Sequence, residues 1–448
     1  MNNWKEYFKG KKITLLGLGL LGRGLGDAKF LAEAGAEIIV TDLKTAEQLQ
    51  DSLRELKNLK TFKHITFHLG GHKIEDFKNR DMVIKAAGVQ IDSPFVLEAR
   101  KNKIPVKMST ALFAEFFDGT VIGITGTRGK STVTAMIFEI LKKAGKVVFL
   151  GGNVKGISTL AHLKDVEKDE IAVLELDSWQ LQGFGEMKKS SHIAVFTTFM
   201  QDHLNYYSGD MNKYLDDKAN IFKYQKKSDF LIVGEQAEKI IKEKYKDIKS
   251  KIIVAKQDDL SSEWKLKIPG EHNRYNAACA LAVAKILGIQ EKIIKETLEN
   301  FNGVPGRLEL IREVNGVKIY NDTTATTPQA TIAALKALGH KSKNILLIMG
   351  GADKGIDMSE LLEEIPNYCK EVLLLPGTGT EKIRPKIKDQ RLKMSLVEAK
   401  NLKEAMEEAM KNAEEGDVIL FSPAFASFGM FKNEFDRGDQ FDTLVKNL

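Results

Sequence analysis

Apolar residues along this chain fall into two alternating patterns. Short continuous runs bounded by glycine or small polar residues predict buried strands, and stretches with apolar positions three and four apart predict helices. Runs at 12–16, 37–40, 81–86 and 105–107 predict strands in the first quarter, with helical patterns at Ala28, Leu31 and Ala32 and over 94–102. Runs at 121–125, 171–176, 193–198 and 230–233 follow. A helix opening at Ser131 presents Val133, Met136, Ile137, Ile140, Leu141 and Ala144 on one face, and Gly145 stands where a C-terminal cap is expected. Further helical patterns begin near Met211 and cover 277–287 and 292–301. After a linker-like Asn302-Gly303-Val304-Pro305-Gly306, strands are predicted at 317–320, 344–349, 371–375 and 418–421, with helices near 328–338, 359–365, 380–388 and 401–413. Strands alternating with helices predict mostly parallel, doubly wound sheets, with loops at strand C-terminal ends available to ligands.

Two strand–loop–helix junctions are glycine-rich. At the first, Gly17-Leu18-Gly19-Leu20-Leu21-Gly22 follows a strand, and Asp42 ends the next one. That text fits a dinucleotide fingerprint, but a UDP-linked ligand can use the same turn. At the second, Gly126-Thr127-Arg128-Gly129-Lys130-Ser131-Thr132 joins a strand to a helix. Gly126 and Gly129 let backbone N–H groups turn inward, Lys130 can reach outer phosphates, and Ser131 can offer a hydroxyl to Mg2+. Ile124 stands where the general phosphate-loop template has glycine. A nucleotide site is expected here. The chain thus reads as three α/β domains, a Rossmann-like 1–117, a P-loop ATPase-like 118–303 and a Rossmann-like 304–448.

Composition narrows the class. With 448 residues, 43% hydrophobic and 29% charged, the chain is an ordinary globular protein of several domains. A net charge of +6 suits anionic ligands without the dense basic stripe of a nucleic-acid binder, and the lysine-rich runs read as solvated helix faces. Two cysteines make neither a disulfide framework nor a thiolate zinc site, so cytoplasm is the expected compartment. No apolar run approaches a membrane span, and the stretch 13–21 is too short and glycine-punctuated for a signal peptide.

Further motifs carry a family resemblance: Gly151-Gly152-Asn153, Glu175-Leu176-Asp177-Ser178-Trp179-Gln180-Leu181, Asp202-His203, Lys218, His272-Asn273-Arg274-Tyr275-Asn276-Ala277, Gly306-Arg307, Asn321-Asp322 and Ser422-Pro423-Ala424. Together with the phosphate loop, in this order, they resemble the Mur ligases over essentially the whole chain. The N-terminal glycine loop, Ser427, Phe431-Lys432-Asn433 and Arg437-Gly438 most resemble the branch that adds D-glutamate to UDP-N-acetylmuramoyl-L-alanine.

The resemblance implies an ATP- and Mg2+-dependent ligase working through an acyl phosphate. It assigns Gly126, Thr127, Arg128, Gly129, Lys130, Ser131, Thr132, Asn276, Arg307 and Asp322 to ATP. It assigns Gly17, Gly19, Gly22, Asp42, Asn153 and Ser178 to the UDP-substrate, and Thr326, Lys354 and Ser427 to the incoming amino acid. Lys130, Glu175, His203 and Lys218 form the catalytic set. Ser131 and Glu175 would hold one Mg2+, with His203 and a carbamylated Lys218 serving a second. A monomer is expected, with a hinge at 303–306. Four departures from the family pattern stand out: Asp177 for serine, Thr324 for lysine, Glu434-Phe435 in reversed order, and Ala86-Ala87-Gly88 for Ser-Pro-Gly.

Blander readings accompany these. Glu175 could be a solvated strand end, His203 a surface or core histidine, Lys218 a surface lysine, Lys354 a loop cation, and Arg307 with Asp322 a structural ion pair. Four other activities compete, the nearest being a related Mur-type ligase that adds a different amino acid (or L-glutamate) or accepts a different UDP-sugar. An NAD-dependent dehydrogenase would rest on Gly17–Gly22 and Asp42. A folylpolyglutamate synthase would need no separate N-terminal domain, and a nucleotide-driven switch would make no amide.

Overall fold

The computed structural model describes residues 3–203, 206–339, 343–387 and 395–448. It divides into two compact units, Met1–Leu260 with Asn276–Thr297, and Ser261–Tyr275 with Leu298–Leu448.

The first unit contains two parallel sheets. Strands β1 (Lys12–Leu16), β2 (Glu37–Asp42), β3 (Ile65–Leu69), β4 (Met82–Lys85) and β5 (Val106–Lys107) are arranged β3-β2-β1-β4-β5. This places the first glycine loop at the switch point beside the central strand, where doubly wound sheets open a crevice. Strands β6 (Thr120–Thr125), β7 (Val148–Gly152), β8 (Ile171–Glu175), β9 (Ile193–Phe196), β10 (Phe230–Gly234) and β11 (Lys251–Ala255) are arranged β11-β10-β9-β6-β8-β7. The β6 strand is inner, and Val121 to Thr125 are all buried, which is what an unbroken apolar run requires.

The two sheets share one core. Phe113 stacks on Phe117 at 4.8 Å, and Phe8, Phe30, Leu160, Leu174 and Phe184 join the same buried cluster. The layers are also bonded at their loop ends: the Gly156 N–H donates to Leu21 O at 2.8 Å, and the Ser158 hydroxyl donates to Asp27 at 2.6 Å. Burial lifts the Asp27 carboxyl to about 6, against the lowering pull of Ser158, Ser109 and Arg23.

The second unit holds a mixed sheet of β12 (Glu309–Val314), β13 (Val317–Asn321), β14 (Ile345–Met349), β15 (Cys369–Leu374), β16 (Ser395–Glu398) and β17 (Val418–Phe421), in the order β12-β13-β17-β14-β15-β16. Among the described residues only β12 pairs antiparallel, through a hairpin whose Asn315 and Gly316 both have positive φ (50° and 76°). Such a two-residue turn matches the strand twist. The remaining pairs are parallel, so the loops after β13, β14 and β17 leave the same edge of the sheet.

The expected helices form close to their expected bounds, whereas the pattern does not predict Trp4–Phe8, Gln50–Lys57, Ser109–Phe116, Ser178–Glu186 or Glu434–Lys446. The phosphate-loop helix is Lys130–Lys143, with Gly145 at φ 72° behind its Ala144 cap. The helix expected over 277–287 starts earlier, at Glu271, and runs to Ile286. The one expected near 380–388 is Thr378–Ile387, and position 388 lies outside the described residues.

Candidate active site

Strand β6 delivers the chain into the loop 126–129, which needs two glycines for different reasons. Gly126 has φ 141°, and a Cβ there would lie 2.8 Å from the Thr198 backbone nitrogen. Gly129 caps the following helix at φ 85°, and a Cβ there would strike the Asn276 side chain. Asn276 is therefore packed against the loop from the Glu271–Ile286 helix.

Two threonines after β9 brace the loop from the other side. The Thr127 N–H donates to Thr198 O and the Arg128 N–H to Thr198 Oγ1, each at 2.8 Å, while Thr197 Oγ1 donates to Arg128 O at 2.5 Å. Sequence reading missed this pair. The available signal was two adjacent hydroxyls at the end of a buried strand beside the loop strand.

Two lysines converge on one carbonyl. Lys130 Nζ donates to Gly126 O at 3.0 Å and Thr127 O at 3.1 Å, and Lys218 Nζ donates to Gly126 O at 2.8 Å. Lys218 is 1% exposed and also lies over the Tyr214 ring at 4.8 Å. Burial, helped by the Lys130 charge, holds its ammonium well below the usual lysine range, although Asp177 and Asp202 pull the other way. The surface-lysine reading of Lys218 is therefore excluded.

His203 packs its ring on Trp179 at 4.9 Å and on Tyr214 at 5.9 Å, so Tyr214 links His203 to Lys218. Its neighbour Asp202 takes a hydrogen bond from Arg128 Nη1 at 3.0 Å. Burial would raise the Asp202 carboxyl, but His203 and Arg128 outweigh it and bring it down to about 2.

Glu175 ends β8, beside β6 in register Ile124↔Glu175. It is 5% exposed, and its carboxylate takes one long bond, 3.4 Å from Asn153 Nδ2. Neither that carboxylate nor the Ser131 hydroxyl has a cation or other side-chain partner among the described residues. A buried carboxylate without a counter-charge is costly, and an oxygen pair of this kind suits Mg2+ completed by phosphate and water. Among the described residues no group of three or more His, Cys, Asp or Glu could hold a metal by itself.

Asn153 joins the two glycine loops. Its Oδ1 accepts from Arg23 Nη1 at 2.7 Å, at the start of the helix after Gly22, while its Nδ2 faces Glu175. Ser178 is buried within hydrogen-bond reach of the Tyr207 phenol. Asp177 caps the Ser178–Glu186 helix, accepting from the Gln180 N–H at 2.7 Å in a reciprocal capping box. Serine and aspartate are both good N-caps, which accounts for that departure.

In the N-terminal loop, Gly17, Gly19 and Gly22 all have positive φ (98°, 67° and 80°). The Asp42 carboxylate turns inward, taking the Leu18 N–H at 2.8 Å, the Gly19 N–H at 2.9 Å and the Lys44 N–H at 2.9 Å. The ribose contact that the dehydrogenase reading asks of this acid competes with those three bonds.

The second unit carries the remaining candidates. Lys354 Nζ donates to Thr326 Oγ1 at 2.9 Å, and an antiparallel bridge between Ala352 and Ala426 lays the loop after β14 along the loop holding Ser427. Lys354 and Thr326 are thus in direct contact, and the loop of Ser427 is bridged to the loop of Lys354. Ser427 is 4% exposed, and its hydroxyl has no partner among the described residues. Thr324 closes the turn onto Gly306, with its hydroxyl 2.9 Å from Gly306 O, so its departure from lysine is filled by a local bond.

Asp322 is buried, accepting from the Leu308 N–H at 3.0 Å and from Ser422 Oγ at 2.8 Å. Arg307 is exposed and forms no ion pair with it, so the structural-pair reading fails. Burial lifts the Asp322 carboxyl to about 7, against the Ser422 and Leu308 bonds and Arg307. Between the unfolded value near 4 and the folded value near 7, the native state holds a proton that the unfolded chain has released. Stability from this group therefore falls as pH rises through that window, by an order of a few kcal/mol. Denaturant titrations from pH 4 to 8 should show that decline weakened in Asp322→Asn, whose amide can keep both hydrogen bonds; parallel curves for the two proteins would refute it.

Known proteins resemble this chain over nearly its whole length. Profiles described as the N-terminal domain of MurD-like Mur ligases, the Mur ligase middle domain and the Mur ligase glutamate ligase domain match residues 11–107, 124–264 and 306–425. A UDP-N-acetylmuramoylalanine–D-glutamate ligase of Roseiflexus sp. is 32% identical, covering 98% of this chain and 99% of its own. One from Clostridium tetani is 30% identical, covering 100% and 99%.

Among solved structures, the UDP-N-acetylmuramate–alanine ligase of Thermotoga maritima aligns with TM-score 0.63 at 19% identity, over 98% of this chain and 99% of that one. The folylpolyglutamate synthase of Mycobacterium tuberculosis aligns with TM-score 0.58 at 15% identity, over 75% of this chain and 94% of that one. Near-full-length likeness to curated ligases, with three Mur ligase profiles matched in order along the sequence, establishes that this chain belongs to the Mur ligase family.

Proposed function

We propose that this protein joins D-glutamate to UDP-N-acetylmuramoyl-L-alanine at the expense of ATP, by way of an acyl phosphate. The observation that carries the reading is the loop 126–130, with its two lysines on the Gly126 carbonyl and the uncompensated Glu175 on the neighbouring strand. Relatives bearing that activity as their name align with nearly the whole chain, which supports the choice of substrates.

In this reading residues 1–117 bind the UDP-sugar, 118–303 the triphosphate and 304–448 the amino acid. The substrate carboxylate oxygen attacks the γ-phosphorus, and ADP departs. The D-glutamate amine then attacks the acyl carbon, loses a proton, and the phosphate leaves. Lys130 exchanges its loop carbonyls for phosphate oxygens and steadies the charge on the transferring group. Asn276, Arg307 and Asp322 hold the outer nucleotide. Asn153 and Ser178 receive the UDP-sugar, and Asp42 shapes the Gly17–Gly22 loop that carries its diphosphate. Thr326, Lys354 and Ser427 take the carboxylates of the amino acid.

Ser131 and Glu175 would hold Mg2+, which would neutralise charge between the two meeting anions. A bare Lys218 offers nitrogen and no oxygen, and so does not suit Mg2+, which prefers oxygen ligands. Its depressed ammonium makes the neutral amine accessible, and attack on CO2 with loss of a proton would convert it to an anionic oxygen donor beside His203. We take the protein to act as a cytoplasmic monomer; among the described residues no helix is long and apolar enough to cross a membrane.

The decisive assay supplies purified protein with ATP, Mg2+, UDP-N-acetylmuramoyl-L-alanine and a panel of D- and L-amino acids, read by product mass. The D-glutamate adduct, formed with one ADP and one phosphate, is expected. Phosphate release that ignores both acceptors, or an adduct with another amino acid instead, would overturn the assignment.

A further inference from the structure

The loops bearing the amino-acid candidates are tied from beneath by a side chain that the reaction scheme leaves unused. Arg437, on the Glu434–Lys446 helix, is 1% exposed, and it is the bulkiest side chain buried to that degree among the described residues. Its Nε donates to Thr323 Oγ1 at 3.1 Å, its Nη2 to Thr323 O at 2.7 Å and its Nη1 to Phe425 O at 3.1 Å. Thr323 lies in the loop after β13, between Asp322 and Thr326, and Phe425 lies in the loop after β17, two residues before Ser427.

One guanidinium therefore spans both loops, and its fork of donors is the reason arginine serves where a single-point ammonium would not. The local packing is built around this grip. A Cβ on the next residue, Gly438, would sit 2.7 Å from Thr323 Cγ2, and Thr323 Oγ1 in turn donates to Glu434 O at 3.1 Å. Among the described residues Arg437 forms no ion pair with a carboxylate, and burial lowers it to about 10 despite the raising influence of Glu434. A buried cation held only by carbonyls and a hydroxyl is expensive to fold, so a role beyond packing is called for.

We propose that Arg437 is a positioning residue for the acceptor amino acid and the nucleotide ribose: it locks the 321–326 and 422–427 loops in one relative placement, so that Thr326, Ser427 and Asp322 meet their ligands preformed. This rests on reading the second unit as the amino-acid-binding part.

The test uses the full-length chain with Arg437→Lys, which keeps the charge but loses the fork, and Thr323→Val, which at nearly constant volume removes one acceptor of the fork together with the hydroxyl's own bond to Glu434 O. In Arg437→Lys, KM for the amino acid and for ATP should each rise about tenfold or more, a cost typical of displaced positioning groups, while KM for the UDP-substrate stays within about twofold. Thr323→Val should move the same two constants in the same direction by less. Amide hydrogen exchange should accelerate in 321–326 and 422–427 of Arg437→Lys and not in 126–132. Unchanged exchange in those loops, or a rise in all three KM values together, would overturn the proposal. If the wild-type protein does not accept D-glutamate, the functional reading fails, but the exchange measurement still decides whether Arg437 clamps the loops.

Discussion

Lys130→Ala is expected to lower the ligation rate by about 10²–10³-fold, the loss seen when one preorganised electrostatic contact to a transition state is removed. The cost to folding should be far smaller. Lys130 gives up hydrogen bonds to the Gly126 and Thr127 carbonyls, about 1 kcal/mol each, and the second lysine still holds Gly126. The contrast between a large kinetic loss and a small shift in denaturant midpoint is the signature. Retention of more than a tenth of the wild-type rate would mean that the loop does not hold the transferring phosphate.

Lys218→Met should be comparably severe for activity and opposite in sign for stability. The native state holds this ammonium well below its ordinary value, so between the folded and unfolded values the unfolded chain binds the extra proton. Stability from this group rises with pH through that window, and at neutral pH the lysine is a net cost. Methionine has nearly the same volume and no charge to bury, so the variant should be at least as stable as wild type near pH 7, the usual outcome when an uncompensated buried charge is replaced. Activity should fall about 100-fold or more, because neither an ammonium nor its carbamate remains behind Gly126. Stripping CO2 from the buffer should slow the wild-type enzyme and leave the variant's residual rate unchanged. A fully active Lys218→Met enzyme would remove Lys218 from the catalytic set.

The inner strands were legible because parallel strands covered on both faces are unbroken apolar text. β14 reads Ile-Leu-Leu-Ile-Met and is buried throughout; β6, β8 and β17 are similar. The strands that sequence reading missed are edges. β3, β7, β11, β12 and β16 each flank a sheet, and each leaves several positions partly open to solvent. In β12, Glu309, Arg312 and Glu313 break the apolar run because one side of the strand has no neighbour. Of the edges only β5, two residues long between Pro105 and Met108, was anticipated.

The same division holds in the site. Loop residues announced by glycine and lysine at a strand–helix junction were legible, since the backbone geometry demands those types. Groups that act through other groups were not. Thr197 and Thr198 look like any pair of threonines, and Arg437 like any helical arginine, until the fold sets them against loops 70 and 114 positions away in sequence.

Asp42 carries a wider consequence. The letters around it spell a nicotinamide-cofactor signature, yet its oxygens grip the peptide N–H groups of the turn that the signature describes. One carboxylate can serve as a hand held out to a sugar or as a brace folded into its own turn, and the spelling is the same for both. Pattern searches that sort enzymes by this string will therefore mix oxidoreductases with proteins that handle no hydride at all.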